Sequence, residues 1–194
     1  MKKLLITGFE PFGGETINPS WEAVNLLPSE IGEYSIDKLQ IPVAFGFAFD
    51  KVIEKANHIS PDAIICVGQA GGRSAITPEF VGINLKNATI PDNLGNQPKD
   101  EDIILDGDCA YFSTIPVRRI AEAINSAGIA SQISYSAGTY VCNELFYRLL
   151  ARYKNTDTLV GFVHVPYSKE QNKEPSMELD EMVRALILVI NELN

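Results

Sequence analysis

A thiol, an imidazole and a carboxylate can together make a nucleophile at neutral pH, and this chain has few candidates for the first two. Its cysteines are Cys66, Cys109 and Cys142, and its histidines are His58 and His164. In the stretch SAGTYVCNEL, Ser136 to Leu145, Cys142 follows a small-residue turn and falls roughly one turn into a predicted helix. Unpaired amide groups and the positive end of the helix dipole favour an anion there, and a thiolate is one. A thiol pKa lowered in this way makes a nucleophile, while the alternative is a small hydrophobe packed in the core. A nucleophilic cysteine needs a base and proton donor. His164 ends a predicted strand and precedes Val165-Pro166-Tyr167, so it suits that role or that of a structural histidine. His58, at the end of a helix, reads as a surface charge. The imidazole in turn needs a group to fix its tautomer and direction. Glu79, in Ile-Thr-Pro-Glu, is the candidate, with Asp92 and Glu10 as rivals.

Phe9 and Phe12 stand beside glycines in Gly8-Phe-Glu-Pro-Phe-Gly-Gly14. Each suits the core or a small apolar pocket with a polar rim. Other chemistries fit worse. Cys66 and Cys109 lack partners at metal-ligand spacing, and Cys66 reads as core. No glycine run matches a phosphate-binding loop or a dinucleotide fingerprint. The absence of G-x-S-x-G demotes Ser136 as a nucleophile.

The elements that must position these residues alternate. Lys3 to Thr7 reads as a strand, and Asn18-Pro19-Ser20 supplies a cap and first-turn proline for a helix to about Leu27. Extended structure is predicted for Ser35 to Val43, a helix for Phe47 to Asn57 and a buried strand for Asp62 to Gly68. A short strand follows at Phe80 to Leu85, then a long polar loop from Asn87 to Asp108, a length that suggests function or mobility. Pro116 to Ser126 has helical spacing, Gln132 to Ser136 reads as a strand, Thr139 to Tyr153 as a helix, Leu159 to Val165 as a strand, and Met177 to Leu193 as the last helix. This alternation predicts an α/β fold with an open, mostly parallel twisted sheet and helices on both faces. Ligands in such sheets bind beyond the carboxyl ends of the strands. The segments Gly8 to Gly14, Gly68 to Glu79, Ser136 to Cys142 and His164 to Tyr167 should therefore converge.

The 194 residues suit one domain with one sizeable core. With 45% hydrophobic residues and mean hydropathy near zero, the composition is ordinary for a globular protein. A formal charge of -9 argues against nucleic acid as a partner. The start, MKKLLITGFEP, has too short an apolar run for a signal peptide, and no segment predicts a membrane span. An odd cysteine count favours a reducing, cytoplasmic setting.

The segments TGFEPFGGET (7–16), NPSWEA (18–23), ICVGQAGGR (65–73), ITPE (76–79), IPDN (90–93), SAGTYVCN (136–143) and GFVHVPY (161–167) together make the chain resemble the pyroglutamyl-peptidase I family, also called pyrrolidone carboxyl peptidases. They occur in family order over nearly the whole chain. The resemblance implies a three-layer α/β/α single domain over 1–194 that removes an N-terminal 5-oxoproline from peptides as a cysteine peptidase. It implies Cys142 as nucleophile, His164 as proton-transfer partner and Glu79 as orienting acid. It further implies a pyroglutamyl pocket formed by Phe9 and Phe12, with Asn18 and Gln69 supporting its loops. Members need no cofactor, bind no metal for catalysis, are cytosolic and commonly form homotetramers. Two positions depart from the family pattern. Phe80 stands where arginine usually follows the glutamate, and Glu144 where histidine is frequent. Glu144 is thereby expected to add negative charge near the thiol. Two other readings remain at this level: a non-catalytic small-molecule binding domain, and an amidase for another small acyl group.

Overall fold

A computed structural model describes residues 1–193, so the last residue of the expected 1–194 domain lies outside the described residues. In chain order the elements are β1 (Lys2–Phe9), α1 (Pro19–Leu26), β2 (Glu30–Ile31), β3 (Tyr34–Ile41), α2 (Phe47–Ile59), β4 (Ala63–Gln69), β5 (Thr77–Pro78), β6 (Val81–Ile83), β7 (Ala110–Phe112), α3 (Val117–Ser126), α4 (Val141–Tyr153), β8 (Leu159–Val165), β9 (Tyr167–Ser168), β10 (Ser176–Met177) and α5 (Leu179–Asn191). The main sheet has the order β2-β3-β1-β4-β8-β5. Strands β3, β1, β4 and β8 run parallel, and the short edge strands β2 and β5 are antiparallel to their neighbours.

The central strands are apolar on both sides, as a sheet covered on both faces requires. Successive side chains point to opposite faces. Leu4 and Ile6 of β1, with Ile65 and Val67 of β4, pack against α1, α3 and α5. Leu5 and Phe9, with Ile64 and Cys66, pack against α2 and α4. Helix α3 shows the corresponding helical period, burying Val117, Ile120, Ala121 and Ile124. Helix α1 starts where the sequence places it: Asn18 caps it by accepting the Ser20 N–H at 3.1 Å, and Pro19 opens its first turn. It lies so close to β1 that a Cβ on Gly8 would sit 2.6 Å from the Trp21 Cα.

Two expectations need correction. Gln132 to Ser136 forms no strand. Segment 130–134 runs parallel to 76–80 with hydrogen bonds from Ile76 N to Ala130 O, Gln132 N to Ile76 O, Ser134 N to Pro78 O and Phe80 N to Ser134 O. The next bond in this alternation needs an N–H at Pro78, which proline lacks, so only isolated bridges at Ser131 and Ser134 remain. The short strand β7, paired with β6, lies in a stretch the sequence reading left unassigned. The 87–108 loop is long, as expected, but tied down. Asp92 accepts the N–H groups of Phe45, Leu94 and Asn96 at 2.8–2.9 Å, and Asn93 donates to Val43 O at 3.0 Å through its own N–H. No helix among the described residues is long and apolar enough to cross a membrane.

Candidate active site

The exits of β1, β4 and β8 and the start of α4 meet around a cavity of about 200 Å³. Its apolar wall includes Phe9, Phe12, Val43, Ala137 and Tyr140, and its polar positions are Asn18, Gln69, Arg73, Cys142 and His164. The segments expected to converge therefore do so, beyond the carboxyl ends of the parallel strands.

The β1 exit is shaped by a short polar chain. Phe9 N–H donates to Ser20 Oγ at 3.0 Å, Ser20 Oγ donates to Asn18 Oδ1 at 2.8 Å, and Asn18 Nδ2 donates to Glu10 O at 2.9 Å. Asn18 thus serves the loop and the helix cap at once. Phe9 is buried against Phe162, with ring centroids 6.5 Å apart. Phe12 lies 6.4 Å from Tyr140, which meets Phe45 edge-on at 5.3 Å. The Tyr140 hydroxyl donates to Pro91 O at 3.0 Å, and Asn93 Nδ2 donates to Glu10 Oε1 at 2.9 Å and Pro11 O at 3.0 Å. The long loop consequently braces the aromatic wall from outside.

Cys142 is the second residue of α4, whose N-cap Tyr140 makes no side-chain capping bond. The N–H groups of the first turn therefore remain available at the cavity end. The sulfur lies over Gly68, where an added Cβ would be 3.1 Å from Sγ. Gly68 is the register partner of His164 on the adjoining parallel strand. Neighbouring strands lie about 4.8 Å apart, so thiol and imidazole occupy adjacent places on the same floor.

Glu79 is the carboxylate that meets this histidine. Its Oε1 lies 2.7 Å from His164 Nδ1 and accepts from Arg73 Nη1 at 2.7 Å. The antiparallel pairing of β5 with β8 brings the two together, since Thr77 is the register partner of His164. Glu79 is completely buried, and its own N–H donates to Phe162 O at 2.9 Å. Burial alone would raise its pKa, but the hydrogen bonds with His164 and Arg73 help to outweigh burial and hold the carboxyl below its ordinary value. The acid is therefore ionised beside the ring. The rivals lie elsewhere: Asp92 organises its own loop, and Glu10 binds Asn93. With Nδ1 facing Glu79, Nε2 is the ring nitrogen left for chemistry, and it makes no hydrogen bond among the described residues.

The thiol is subject to opposing influences. Burial, then the Glu79 carboxylate, push Cys142 up to about 12, against the opposing pull of Arg73 and of the residue's own N–H. Desolvation and the neighbouring carboxylate thus oppose the pull of the helix start on the thiol proton. Glu144 is not the cause. It is itself buried, its pKa raised by that burial, and it accepts the Gly46 N–H at 2.8 Å and lies 3.6 Å from Arg148. Phe80 joins an outer aromatic cluster with Phe112 and Tyr135, each ring 5.5 Å away.

Sequence reasoning missed Arg73 and Tyr140 as site residues. Arg73 reaches Thr77 Oγ1 at 2.6 Å and Ser136 O at 3.0 Å besides Glu79, joining the β4 exit to the turn before α4. Its position directly after Gly71-Gly72 was the available signal. Tyr140 is two residues from Cys142, but only the fold reveals that it faces Phe12. Among the described residues no cluster of His, Cys, Asp and Glu could hold a metal ion.

Residues 2–193 match the family model described as pyroglutamyl peptidase. A pyrrolidone-carboxylate peptidase from Staphylococcus saprophyticus is 50% identical over 184 residues, covering 92% of this chain and 86% of that protein. One from Thermosipho africanus is 50% identical over 199 residues, covering 98% and 96%. Among solved structures, Bacillus amyloliquefaciens pyroglutamyl peptidase I superposes with a TM-score of 0.95 at 48% identity, covering 100% of this chain and 97% of that one. The pyrrolidone carboxyl peptidase of Thermococcus litoralis does so with a TM-score of 0.95 at 37% identity, covering 100% and 93%.

Proposed function

The chain belongs to the pyroglutamyl-peptidase family, and from that premise we propose that it releases N-terminal 5-oxoproline from peptides through a thioester on Cys142. The observation that carries the reading is the convergence of Cys142 and His164 on one small, largely apolar cavity, with Glu79 bound to the far side of the imidazole.

A pyroglutamyl group has no ammonium, because its nitrogen is closed into a lactam. A pocket for it needs apolar surface for a flat ring and a few polar partners for the lactam edge. Phe9, Phe12 and Tyr140 supply the surface, and Gln69 and Asn18 stand among the polar lining. The Cys142 thiol transfers its proton to His164 Nε2 as sulfur attacks the carbonyl that joins pyroglutamate to the next residue. Glu79 stabilises the resulting imidazolium and holds its tautomer. The oxyanion is met by N–H groups at the α4 start, including that of Cys142. One such donor is worth ~3 kcal/mol of barrier. The imidazolium protonates the leaving amine, which departs as the C–N bond breaks and leaves a thioester. Water then attacks the thioester with His164 taking its proton, and sulfur leaves to regain a proton from the ring. A thiol at about 12 suits this sequence, since the proton moves during attack rather than before it.

Cytoplasmic location and homotetrameric assembly belong to the same reading. The test is turnover of a pyroglutamyl amide of aminomethylcoumarin beside the corresponding free-amino glutaminyl amide. Release from the blocked substrate alone, and its near-abolition in Cys142→Ala with unfolding temperature retained, are expected. Normal turnover by the alanine variant would sink the assignment.

A further inference from the structure

Beyond the residues lining the cavity lies a second amide whose orientation the fold determines. Gln171 sits in the short 3-10 turn Lys169–Gln171 that follows β9. Its Oε1 accepts the Ser168 N–H at 3.1 Å. Its Nε2 lies 2.9 Å from Gln69 Oε1 and 3.4 Å from Glu15 Oε2. A backbone N–H can only donate and a carboxylate can only accept, so these neighbours fix which end of the Gln171 amide is oxygen. Turning it over would set oxygen against carboxylate and NH2 against N–H. Lys173, paired with Glu15, keeps that carboxyl below its ordinary value and so ionised.

The constraint passes one residue further. Gln171 presents a donor to Gln69, so Gln69 must answer with its oxygen. Its Nε2 is left over, makes no hydrogen bond among the described residues, and belongs to a side chain that lines the cavity. We infer that Gln171 is a positioning residue that fixes the polarity of Gln69, so that the cavity offers an N–H donor and selects a ring carrying an acceptor, the lactam carbonyl of pyroglutamate. The inference rests on the pyroglutamyl reading of the cavity and adds the residue that sets its polarity. A proline ring fills similar space but covers the Gln69 donor without pairing it, and a donor cut off from water without a partner is what makes a polar site selective.

The decisive experiment is a double-mutant cycle on the full chain with the pyroglutamyl coumarin amide. Gln171→Met keeps length but removes both amide functions, freeing Gln69 to rotate. Losing one neutral hydrogen bond predicts a roughly three- to tenfold fall in kcat/KM, expressed as a rise in KM with kcat retained. In a Gln69→Met background the same change should cost nothing further, because Gln171 acts through Gln69. Additive losses in the two backgrounds, or an unchanged KM in Gln171→Met, overturn the inference. A probe of the unmutated protein gives an independent arm: 2-pyrrolidone should compete with substrate better than pyrrolidine-2-thione, the same ring with a poor acceptor. Equal or tighter competition by the thione also overturns it. Inactivity of the unmutated protein toward pyroglutamyl amides would instead defeat the parent reading, so the two failures are distinguishable.

Discussion

Gly68→Ala changes one hydrogen into a methyl group at the floor of the cavity. The new Cβ would lie 2.9 and 3.0 Å from the Phe162 ring atoms Cζ and Cε1, and 3.1 Å from Cys142 Sγ, where ordinary contact begins at 3.4 Å. The phenyl ring has little room to withdraw. It is fully buried, with Phe146 at 5.8 Å, Phe9 at 6.5 Å and the His164 ring at 4.7 Å between centroids. The sulfur borders the cavity and can move, so it takes up much of the displacement, a few tenths of an ångström. Overpacking of this kind costs about 1–3 kcal/mol, which for a chain of this size lowers Tm by roughly 2–12 °C. A misplacement of about 1 Å in reacting geometry can cost about 10²-fold, so a shift of half that size predicts roughly a tenfold fall in kcat. The assay is steady-state hydrolysis of the pyroglutamyl coumarin amide at 25 °C, paired with a thermal melt. A variant with lowered Tm but unchanged kcat would refute the reasoning, because it would mean that the atom displaced over Gly68 is not the one that reacts.

Glu79→Gln should lower kcat by roughly 10²- to 10⁴-fold, the range of a general acid–base contribution, with the protein still folded at neutral pH. Glu79 also has a folded pKa below its reference of 4.5. Its contribution to stability is therefore present above pH 4.5 and lost as pH falls through the lower folded value. The glutamine variant should lose part of the acid-side decline in urea midpoint, and an unchanged decline would contradict the pairing. For Cys142, a thiol near 12 predicts that inactivation by iodoacetamide without substrate keeps accelerating from pH 7 to pH 10. A rate already level at pH 7 would indicate a standing thiolate and remove the concerted proton transfer.

Much of this fold was legible because its central strands are continuous apolar runs and its helices carry local signals. Strand β8 falls at Leu159–Val165 as read, and α1 begins at the cap and proline the sequence supplies. The strand expected at Gln132 to Ser136 fails for a reason located in another segment: Pro78 withholds the hydrogen bond that would complete the ladder. No window around residue 132 contains that information. The site divides similarly. Glycine-rich exits and a cysteine at a helix start direct attention to the right segments, but choosing Glu79 over Asp92 and Glu10 by bonding partner requires the β5–β8 register. For the thiol, sequence reveals the helix dipole, whereas the desolvation that opposes it depends on what surrounds the sulfur.

The bond between Glu79 and His164 has an uneven foundation. The histidine stands on an interior strand, but the acid follows a two-residue strand at the rim, whose outer neighbour is joined to it only in patches. Openings of such rims require less free energy than global unfolding. Warming should therefore silence turnover before the bulk circular dichroism signal changes, with amides near residue 79 exchanging hydrogen ahead of those in β1 and β4.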